Sequence, residues 1–185
     1  QPRATNYIRL NGNTYQEITP LKGLTIRAAQ ALEGYDYRNS GKILKDPLGA
    51  FASSTGAWET FSRSYGLTAT NTIEYKFDIA EKNHFILLAG QEAIVNKYDS
   101  FGAESSDLAD NRTAGVHQGV TPVQPTYSFN ESVFNSYFAR LNYDYNDKYF
   151  FEASYRRDGS SLFGENKRYA NFFSFGASWN AKKEN

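Results

Sequence analysis

The chain has 185 residues, enough for one domain with a sizeable core, and Lys plus Arg balance Asp plus Glu at 20 each. This balance argues against nucleic acid or another highly charged partner, and the absence of cysteine excludes a disulfide framework and thiolate metal sites. Aromatic residues reach 16% although the mean hydropathy is negative, so the apolar residues must be patterned rather than abundant. Because the sequence starts at Gln1 and contains no Met, we expect it to be a piece of a longer protein.

Seven segments alternate apolar and polar residues with the two-residue period of a β-strand. They cover about residues 6–18, 24–37, 60–79, 84–99, 133–145, 149–157 and 172–180. In the third segment one face carries Leu67, Ile73 and Phe77, and Asn71 is the polar exception on that face. None of the segments approaches the roughly 18 apolar residues of a transmembrane helix.

The fifth and sixth segments predict a hairpin with a defined register. Their apolar sets share a face only if Tyr145 lies opposite Tyr149 across the turn 146–148. That register places Tyr143 opposite Phe151, Leu141 opposite Ala153, and Asn142 opposite Glu152. Phe138 and Phe150 are the apolar exceptions on the polar face.

The connections alternate in length along the chain. Short turns are predicted near residues 20–23, 80–83, 146–148 and 180–185, and long polar connections at about 38–57, 100–131 and 158–171. Several aromatic residues lie within a few positions of a short turn: Tyr75, Phe77, Tyr143, Tyr145, Tyr149, Phe151 and Trp179. Long alternating strands, one-sided long loops and an aromatic row at one level are typical of a transmembrane β-barrel. A soluble β-sandwich is the alternative fold, although its strands are usually shorter.

Polar residues of the hairpin predict a surface that faces the barrel lumen. Arg140, Asn142 and Asp144 share one face of their strand, and Glu152 and Arg156 share the same face of the next. Wall packing or water contact is the default role for these five residues, and a contribution to the solute path is the sharper hypothesis. The long connections at about 38–57 and 100–131 are the other places where recognition is expected, because loops on a rigid wall commonly carry it.

Catalytic and metal-binding patterns are weak in this sequence, and we expect neither an enzyme nor a cofactor. His84 and His117 are the only histidines and occur without HExxH or a third ligand. The sequence contains no GxSxG nucleophile elbow, no GxGxxG dinucleotide motif and no phosphate-binding P-loop. The acidic residues Asp107 and Asp110 lie in a Ser- and Gly-containing segment, where a solvated surface is expected and calcium binding is the alternative.

The stretch from Tyr137 to Trp179, "YFARLNYDYNDKYFFEASYRRDGSSLFGENKRYANFFSFGASW", resembles the SusC/RagA branch of the TonB-dependent outer-membrane transporters of Bacteroidetes. Matching positions include "FARLNYD", "KY", "RRDGSS", the "FG" pair, "RY" and the closing Trp179. The upstream "LKGLTIRAA" and "NHFILLAGQE" are also similar to that family. Phe173 departs from the proline of the family's "FPS", which bears on where the last strand begins.

The resemblance implies that residues 1–185 are about seven strands of the barrel wall of a nutrient importer in the bacterial outer membrane. It further implies a plug domain coupled to TonB, a SusD-like lipoprotein at the extracellular loops, and an oligosaccharide or peptide substrate. Neither a plug nor a TonB box occurs in this sequence. A passive porin-like barrel and a soluble glycan-binding β-domain are the alternative functions.

Within the same resemblance, "RRDGSSLFG" is expected at the top of a hairpin on the outer rim. Asp158 and Gly159 would supply the turn residues, and Arg156 would pair with Asp158.

An open sheet of seven strands also leaves two unpaired edges, so its first and last strands are expected to pair with other segments of the same transporter.

Overall fold

A computed structural model describes residues 3–45, 54–110, 112, 115–164 and 168–184. Its strands are β1 (Arg3–Leu21), β2 (Leu24–Ile43), β3 (Gly56–Ile79), β4 (Asn83–Leu108), β5 (Gly119–Pro122), β6 (Thr126–Tyr145), β7 (Tyr149–Ser160) and β8 (Tyr169–Trp179). Two short 3₁₀ helices cover Val116–Gln118 and Ala181–Lys183. None of the helices in the described ranges is long and apolar enough to cross a membrane.

The strands form one antiparallel sheet in the order β1-β2-β3-β4-β6-β7-β8, with the short β5 paired to β4. This order follows the chain, as expected when each strand turns back beside the previous one. All seven predicted strands are therefore confirmed, and the predicted all-β class is correct.

The predicted register of the β6–β7 hairpin is confirmed. Tyr145 lies opposite Tyr149, Leu141 opposite Ala153 and Asn142 opposite Glu152. The turn between them is tight: Asn146 and Asp147 both have positive φ, and the Lys148 N–H donates to the Tyr145 carbonyl at 2.9 Å. Across β7–β8 the pairing continues from Tyr149 opposite Trp179 to Gly159 opposite Tyr169.

The long polar connections are shorter than predicted. Strand β2 continues to Ile43, β3 begins at Gly56, β4 continues to Leu108 and β6 begins at Thr126, and β5 is an eighth strand that the pattern missed. The extensions of β2 and β4 carry polar residues on both faces, so apolar alternation does not mark them although the backbone ladder continues. The start of β6 does alternate through Tyr127 and Phe129, but Glu131 interrupts the series. Residues 46–53, 111, 113–114 and 165–167 of the predicted loops lie outside the described residues.

The expectation that Asp158 and Gly159 form a turn is wrong. Both lie in β7, where Asp158 pairs with Ser136 and Ala170, and Gly159 pairs with Asn135 and Tyr169. The turn begins at Ser161, and the last strand begins at Tyr169, three residues before the predicted start. Gly159 fits within the sheet because its missing side chain leaves room for the ring of Tyr169 on the neighbouring strand.

The described chain divides into two compact units, each containing parts of several strands. One comprises Gln1–Asn11, Glu33–Gly66 and Asn96–Glu131, and the other Gly12–Leu32, Leu67–Val95 and Ser132–Asn185. Within the first unit lie the two buried apolar side chains of the described residues, Ala57 at 2% exposure and Leu108 at 7%. Within the second, Ser136 and Ser160 are buried.

The described residues lack the hydrophobic core of a soluble domain. Large apolar side chains such as Ile8, Phe173 and Phe175 are more than two-thirds exposed, whereas a soluble domain of this size buries about two-thirds of its surface. A β-sandwich covers such a face with a second sheet, but the described strands belong to a single sheet. The sheet therefore needs lipid or other protein segments against its apolar side chains.

Candidate functional site

The ring contacts and pairings define two faces of the sheet. Phe77 stacks on Phe85 at 5.1 Å, and Phe85 stacks on Tyr143 at 4.8 Å, so odd-numbered residues of β3, β4 and β6 share a side. The pairings of β6 with β7 and of β7 with β8 also join odd residues to odd residues. Tyr75 belongs to the same row of rings through its 5.1 Å contact with Phe77. We call the side of the sheet that carries these rings the odd face and the opposite side the even face.

Three of the predicted lumen residues lie together on the even face. Asn142, Asp144 and Glu152 line a groove of about 640 Å³ near the short turns. The groove also contains His84, Ile86 and Phe150, which the sequence did not single out as site residues. Phe150 was visible in the sequence as an apolar exception on a polar face.

Carboxylates dominate the chemistry of this groove. Asp144 and Glu152 belong to its lining, and His84 binds Asp78 through an Nδ1–Oδ1 contact of 2.6 Å. The Asp144 carboxylate also accepts a hydrogen bond of 2.7 Å from the backbone N–H of Asp147. With the apolar side chains of Ile86 and Phe150 between these acids, the groove fits a ligand that offers apolar groups together with hydrogen-bond donors or positive charge.

One polar atom at the groove is buried without a partner among the described residues. The Oδ1 atom of Asn142 accepts no hydrogen bond, although buried carbonyl oxygens are normally satisfied. Its Cα partner Glu152 is an acceptor when ionised and cannot supply the missing hydrogen. The Asn142 Oδ1 atom is therefore an enclosed, unsatisfied acceptor in the wall of the groove.

The other two predicted residues lie outside this groove. Arg140 pairs in the ladder with Ser154 and is exposed. Arg156 is held by two carboxylates: its Nε atom contacts Asp158 at 2.6 Å and its Nη2 atom contacts Glu92 at 3.1 Å. The predicted pairing of Arg156 with Asp158 is thus confirmed. Its contact with Glu92 was not predicted, because the two residues are 64 positions apart in the sequence.

Arg156 also lies over an aromatic ring that rests on a glycine. Its guanidinium carbon is 5.7 Å from the centroid of the Phe138 ring. A Cβ at Gly90 would overlap that ring, so the absence of a side chain lets Phe138 lie against β4. Gly90 was the available sequence signal, because a glycine inside a strand often marks a close approach.

The same arrangement occurs at two other places in the sheet. A Cβ at Gly41 would overlap the Trp58 ring, over which Arg3 lies at 5.6 Å. A Cβ at Gly159 would lie 2.6 Å from the Tyr169 ring, over which Arg157 lies at 4.4 Å. Each aromatic side chain covers the gap left by a glycine on another strand, and each carries a guanidinium.

The serines of "RRDGSS" close the end of the hairpin. Ser161 Oγ accepts from the Val133 N–H at 2.9 Å, while the Ser161 N–H donates to the Val133 carbonyl at 2.9 Å. Ser160 Oγ accepts from the Leu162 N–H at 3.2 Å. These contacts satisfy the backbone where strand pairing ends, which gives the motif a structural role.

A second set of contacts joins the ends of strands at the short turns. Glu184 accepts from the Trp179 indole N–H at 3.1 Å and from the Tyr149 hydroxyl at 3.1 Å, and it pairs with Lys148 at 3.2 Å. The Trp179 N–H and then Lys148 lower the pKa of Glu184. In the neighbouring turn, Lys183 contacts Asp147 at 2.6 Å and lowers the pKa of that carboxyl. These contacts join residues on either side of β7 and β8.

The two acidic residues considered for calcium binding have protein partners. Asp107 accepts from the Thr121 hydroxyl at 2.6 Å, and Asp110 binds the Arg112 guanidinium at 2.6 and 2.9 Å. His117 lies in the 3₁₀ helix Val116–Gln118. Across the described ranges, no three His, Asp or Glu side chains are arranged to hold a metal ion.

Comparisons with curated proteins connect this sheet to a group of receptors, although no protein-family model matches the chain. Over 174 residues it is 29% identical to TonB-dependent receptor P3 of Formosa agariphila, a match that covers 91% of this chain and 15% of the receptor. Over 121 residues it is 29% identical to TonB-dependent receptor SusC of Bacteroides thetaiotaomicron, covering 65% of this chain and 12% of the receptor. The chain thus spans less than a sixth of the length of these relatives.

Solved structures match over nearly the whole chain. The structure of the RagAB peptide transporter superposes with a TM-score of 0.94 at 30% identity, covering 99% of this chain and 21% of that one. BauA, the ferric preacinetobactin receptor of Acinetobacter baumannii, matches with a TM-score of 0.59 at 11% identity and shares the fold alone. The sheet therefore corresponds to a segment of a TonB-dependent barrel.

Proposed function

We propose that this chain, which belongs to the SusC/RagA family of TonB-dependent outer-membrane transporters, forms part of the barrel wall of an active nutrient importer. The superposition on the RagAB peptide transporter over 99% of the chain is the observation that carries the proposal. The exposed apolar side chains of the sheet agree with it, since lipid would cover them in a barrel wall.

The arrangement of turns and strands supports one orientation in the outer membrane. Bacterial barrels have short periplasmic turns and longer extracellular loops. The turns at 22–23, 80–82 and 146–148 are short, so we assign them to the periplasmic side and the opposite strand ends to the cell surface. The odd face then contacts lipid, and the even face, with its carboxylate groove, contacts the lumen.

The partners in this proposal are other segments of the same transporter, a plug coupled to TonB, and a SusD-like lipoprotein at the surface. The cargo class is an oligosaccharide or a peptide, and one of the matched structures is a peptide transporter by its own description. We assign no catalytic step to the chain, because the relatives are receptors and transporters.

Dependence on TonB separates an active importer from a passive pore. The full-length parent transporter should take up its labelled oligosaccharide or peptide in a host with TonB and fail to do so in an isogenic host without it. Continued uptake without TonB, at an unchanged rate, would contradict active import and favour the passive alternative. Surface abundance of the transporter is measured in both hosts to confirm equal expression.

The carboxylate groove is proposed to line the solute path. Replacing Asp144 with Asn and Glu152 with Gln in the full-length transporter should change the cargo concentration at half-maximal uptake while leaving surface abundance unchanged. Asp147→Asn is the matched control, because it removes a carboxylate from the same hairpin at a turn that does not line the groove. Equal uptake curves for the groove variant, the control and the unmodified protein would exclude the groove from the path.

A further inference from the structure

Arg157 differs from the other cations at odd positions of the neighbouring long strands. Arg63 of β3 pairs with Asp36 at 2.7 Å, and Lys97 of β4 pairs with Glu131 at 3.0 Å. Arg157 is exposed and has no carboxylate partner among the described residues. Its guanidinium is instead held 4.4 Å from the centroid of the Tyr169 ring. A positive charge is therefore presented on the odd face without neutralisation by the described protein.

An apolar groove lies on the same face and in the same compact unit. It has a volume of about 470 Å³, and small side chains form part of its lining: Ala89, Ala139 and Ala153. Leu87, Phe173 and Phe175 are among the larger side chains beside them. Tyr155 lines the groove on the side toward Arg157, with its ring 5.0 Å from Phe173 and its hydroxyl donating to Asn171 at 2.9 Å.

The spacing between groove and cation matches one leaflet of a bilayer. Arg157 follows Ala153 by four residues, about 13 Å along the strand and about 10 Å in height once the strand tilt is included, and half of an apolar band about 25 Å tall is roughly 12 Å. Arg157 also follows Tyr149 of the aromatic row by eight residues, which is about 20 Å in height on a tilted strand. This height places Arg157 near the upper limit of an apolar band about 25 Å tall. The cation thus lies where acyl chains give way to headgroups.

We propose that this groove and Arg157 together bind one phosphorylated glycolipid of the outer leaflet. An acyl chain lies over Ala153 and Ala139, and the Arg157 guanidinium donates two hydrogen bonds to a headgroup phosphate. The Tyr169 ring orients the guanidinium, and Gly159 lets that ring lie close to the strand. The inference rests on the proposed function, because that proposal places the odd face in lipid.

The test uses the full-length transporter, purified in detergent and incubated with diphosphoryl lipid A. Retained lipid is counted by native mass spectrometry. We expect Arg157→Gln to lower retention about tenfold, as for the loss of a charge-assisted hydrogen bond. Ala153→Phe, which fills the groove, should lower it as well. Lys76→Gln should leave it unchanged, since it removes a positive charge from the even face of β3 at a position that does not line the apolar groove.

Heat-modifiable migration confirms that each variant is a folded barrel before lipid is counted. Equal retention by Arg157→Gln and the unmodified transporter would overturn the proposal, as would an equal loss in Lys76→Gln. Displacement of lipid A by inorganic phosphate alone would also overturn it, because the groove would then contribute nothing. TonB-dependent uptake is measured in intact cells that express the same variants. If uptake depends on TonB while Arg157→Gln retains as much lipid as the unmodified transporter, this inference is rejected and the proposed function stands.

Discussion

At the scale of single residues, the exceptions to the alternating pattern have specific contacts. Asn71, a polar residue on the odd face, donates to Gln91 at 3.3 Å, and Gln91 donates to Asn135 at 2.8 Å. Phe138, on the even face, covers Gly90 and lies beside Arg156. Phe150 lines the carboxylate groove. Such exceptions mark contacts between strands, so they are the positions where substitution is most informative.

Gly90→Ala is expected to lower the free energy of unfolding of the full-length transporter by about 1 to 3 kcal/mol, the usual cost of overpacking. The added Cβ would overlap the Phe138 ring and lie 3.0 Å from the Asn71 carbonyl. Gly12→Ala is the matched control, because no atom of the described residues lies within 4 Å of a Cβ at that position. Denaturant unfolding in phospholipid vesicles measures both variants.

A double variant tests the cause of that loss. If the Phe138 ring is the obstacle, Gly90→Ala should cost less in a Phe138→Ala background than in the unmodified protein. An equal cost in both backgrounds, or an equal cost for Gly12→Ala, would show that the ring is not responsible.

Leu141→Arg and Asn142→Arg should differ sharply although the residues are neighbours. Leu141 lies on the odd face opposite Ala153, and Asn142 lies on the even face opposite Glu152. In the barrel, Leu141→Arg should cost about 2 to 4 kcal/mol, as for a cation on the lipid face near the midplane. Asn142→Arg should be nearly neutral because it meets water and Glu152. Unfolding in vesicles measures the difference, and equal costs would contradict the face assignment.

At the scale of elements, the β6–β7 hairpin joins the features that define the wall. Its odd face carries Leu141 and the ring contact between Tyr145 and Tyr149, and its even face carries Asn142 and Glu152. A one-residue change of register would exchange these faces completely. The hairpin is therefore the element on which the orientation of the wall is best tested.

Single cysteine labels along β6 test that orientation in the full-length transporter. Fluorophores at positions 139, 141 and 143 should be quenched by a lipid-restricted quencher, and those at 140, 142 and 144 should be protected from it, because successive residues alternate between lipid and lumen. Quenching of the even set, or equal quenching of both sets, would contradict the barrel-wall assignment. A soluble sandwich predicts no quenching at either set.

At the scale of the whole molecule, the sheet has two edges and little buried apolar surface. Strand β1 lies at one end of the strand order and β8 at the other, and every residue of β1 is exposed. Unpaired backbone groups in hydrocarbon cost several kcal/mol each. Both edges must therefore pair with further strands before the sheet is stable in a membrane.

Residues 1–185 expressed alone are accordingly expected to form no heat-resistant barrel in vesicles or detergent. The edge strands would lack partners, and the exposed apolar side chains would favour aggregation. Heat-modifiable migration and circular dichroism after refolding provide the measurement, with the full-length transporter as the positive control. A folded, heat-resistant product from the isolated chain would contradict this prediction.

The alternation of residues was sufficient to predict the seven long strands, the register of β6 with β7 and three of the groove residues, Asn142, Asp144 and Glu152. These features are local, because a two-residue period and a short turn determine which side chains share a face. The polar ends of β2 and β4 and the short β5 were missed for the complementary reason: their side chains carry no alternation, and pairing with other strands decides their conformation.

Only the tertiary structure decided the contacts between residues distant in the chain. It brought Glu92 to Arg156, set Phe138 against Gly90 and added His84 and Ile86 to the groove. It also placed Arg157 beside Tyr169, with no carboxylate partner among the described residues. Spacing along one strand cannot predict such contacts, since they depend on which strands are neighbours and on the offset between them. Once that offset exists, a missing side chain on one strand determines where a ring on the next can lie.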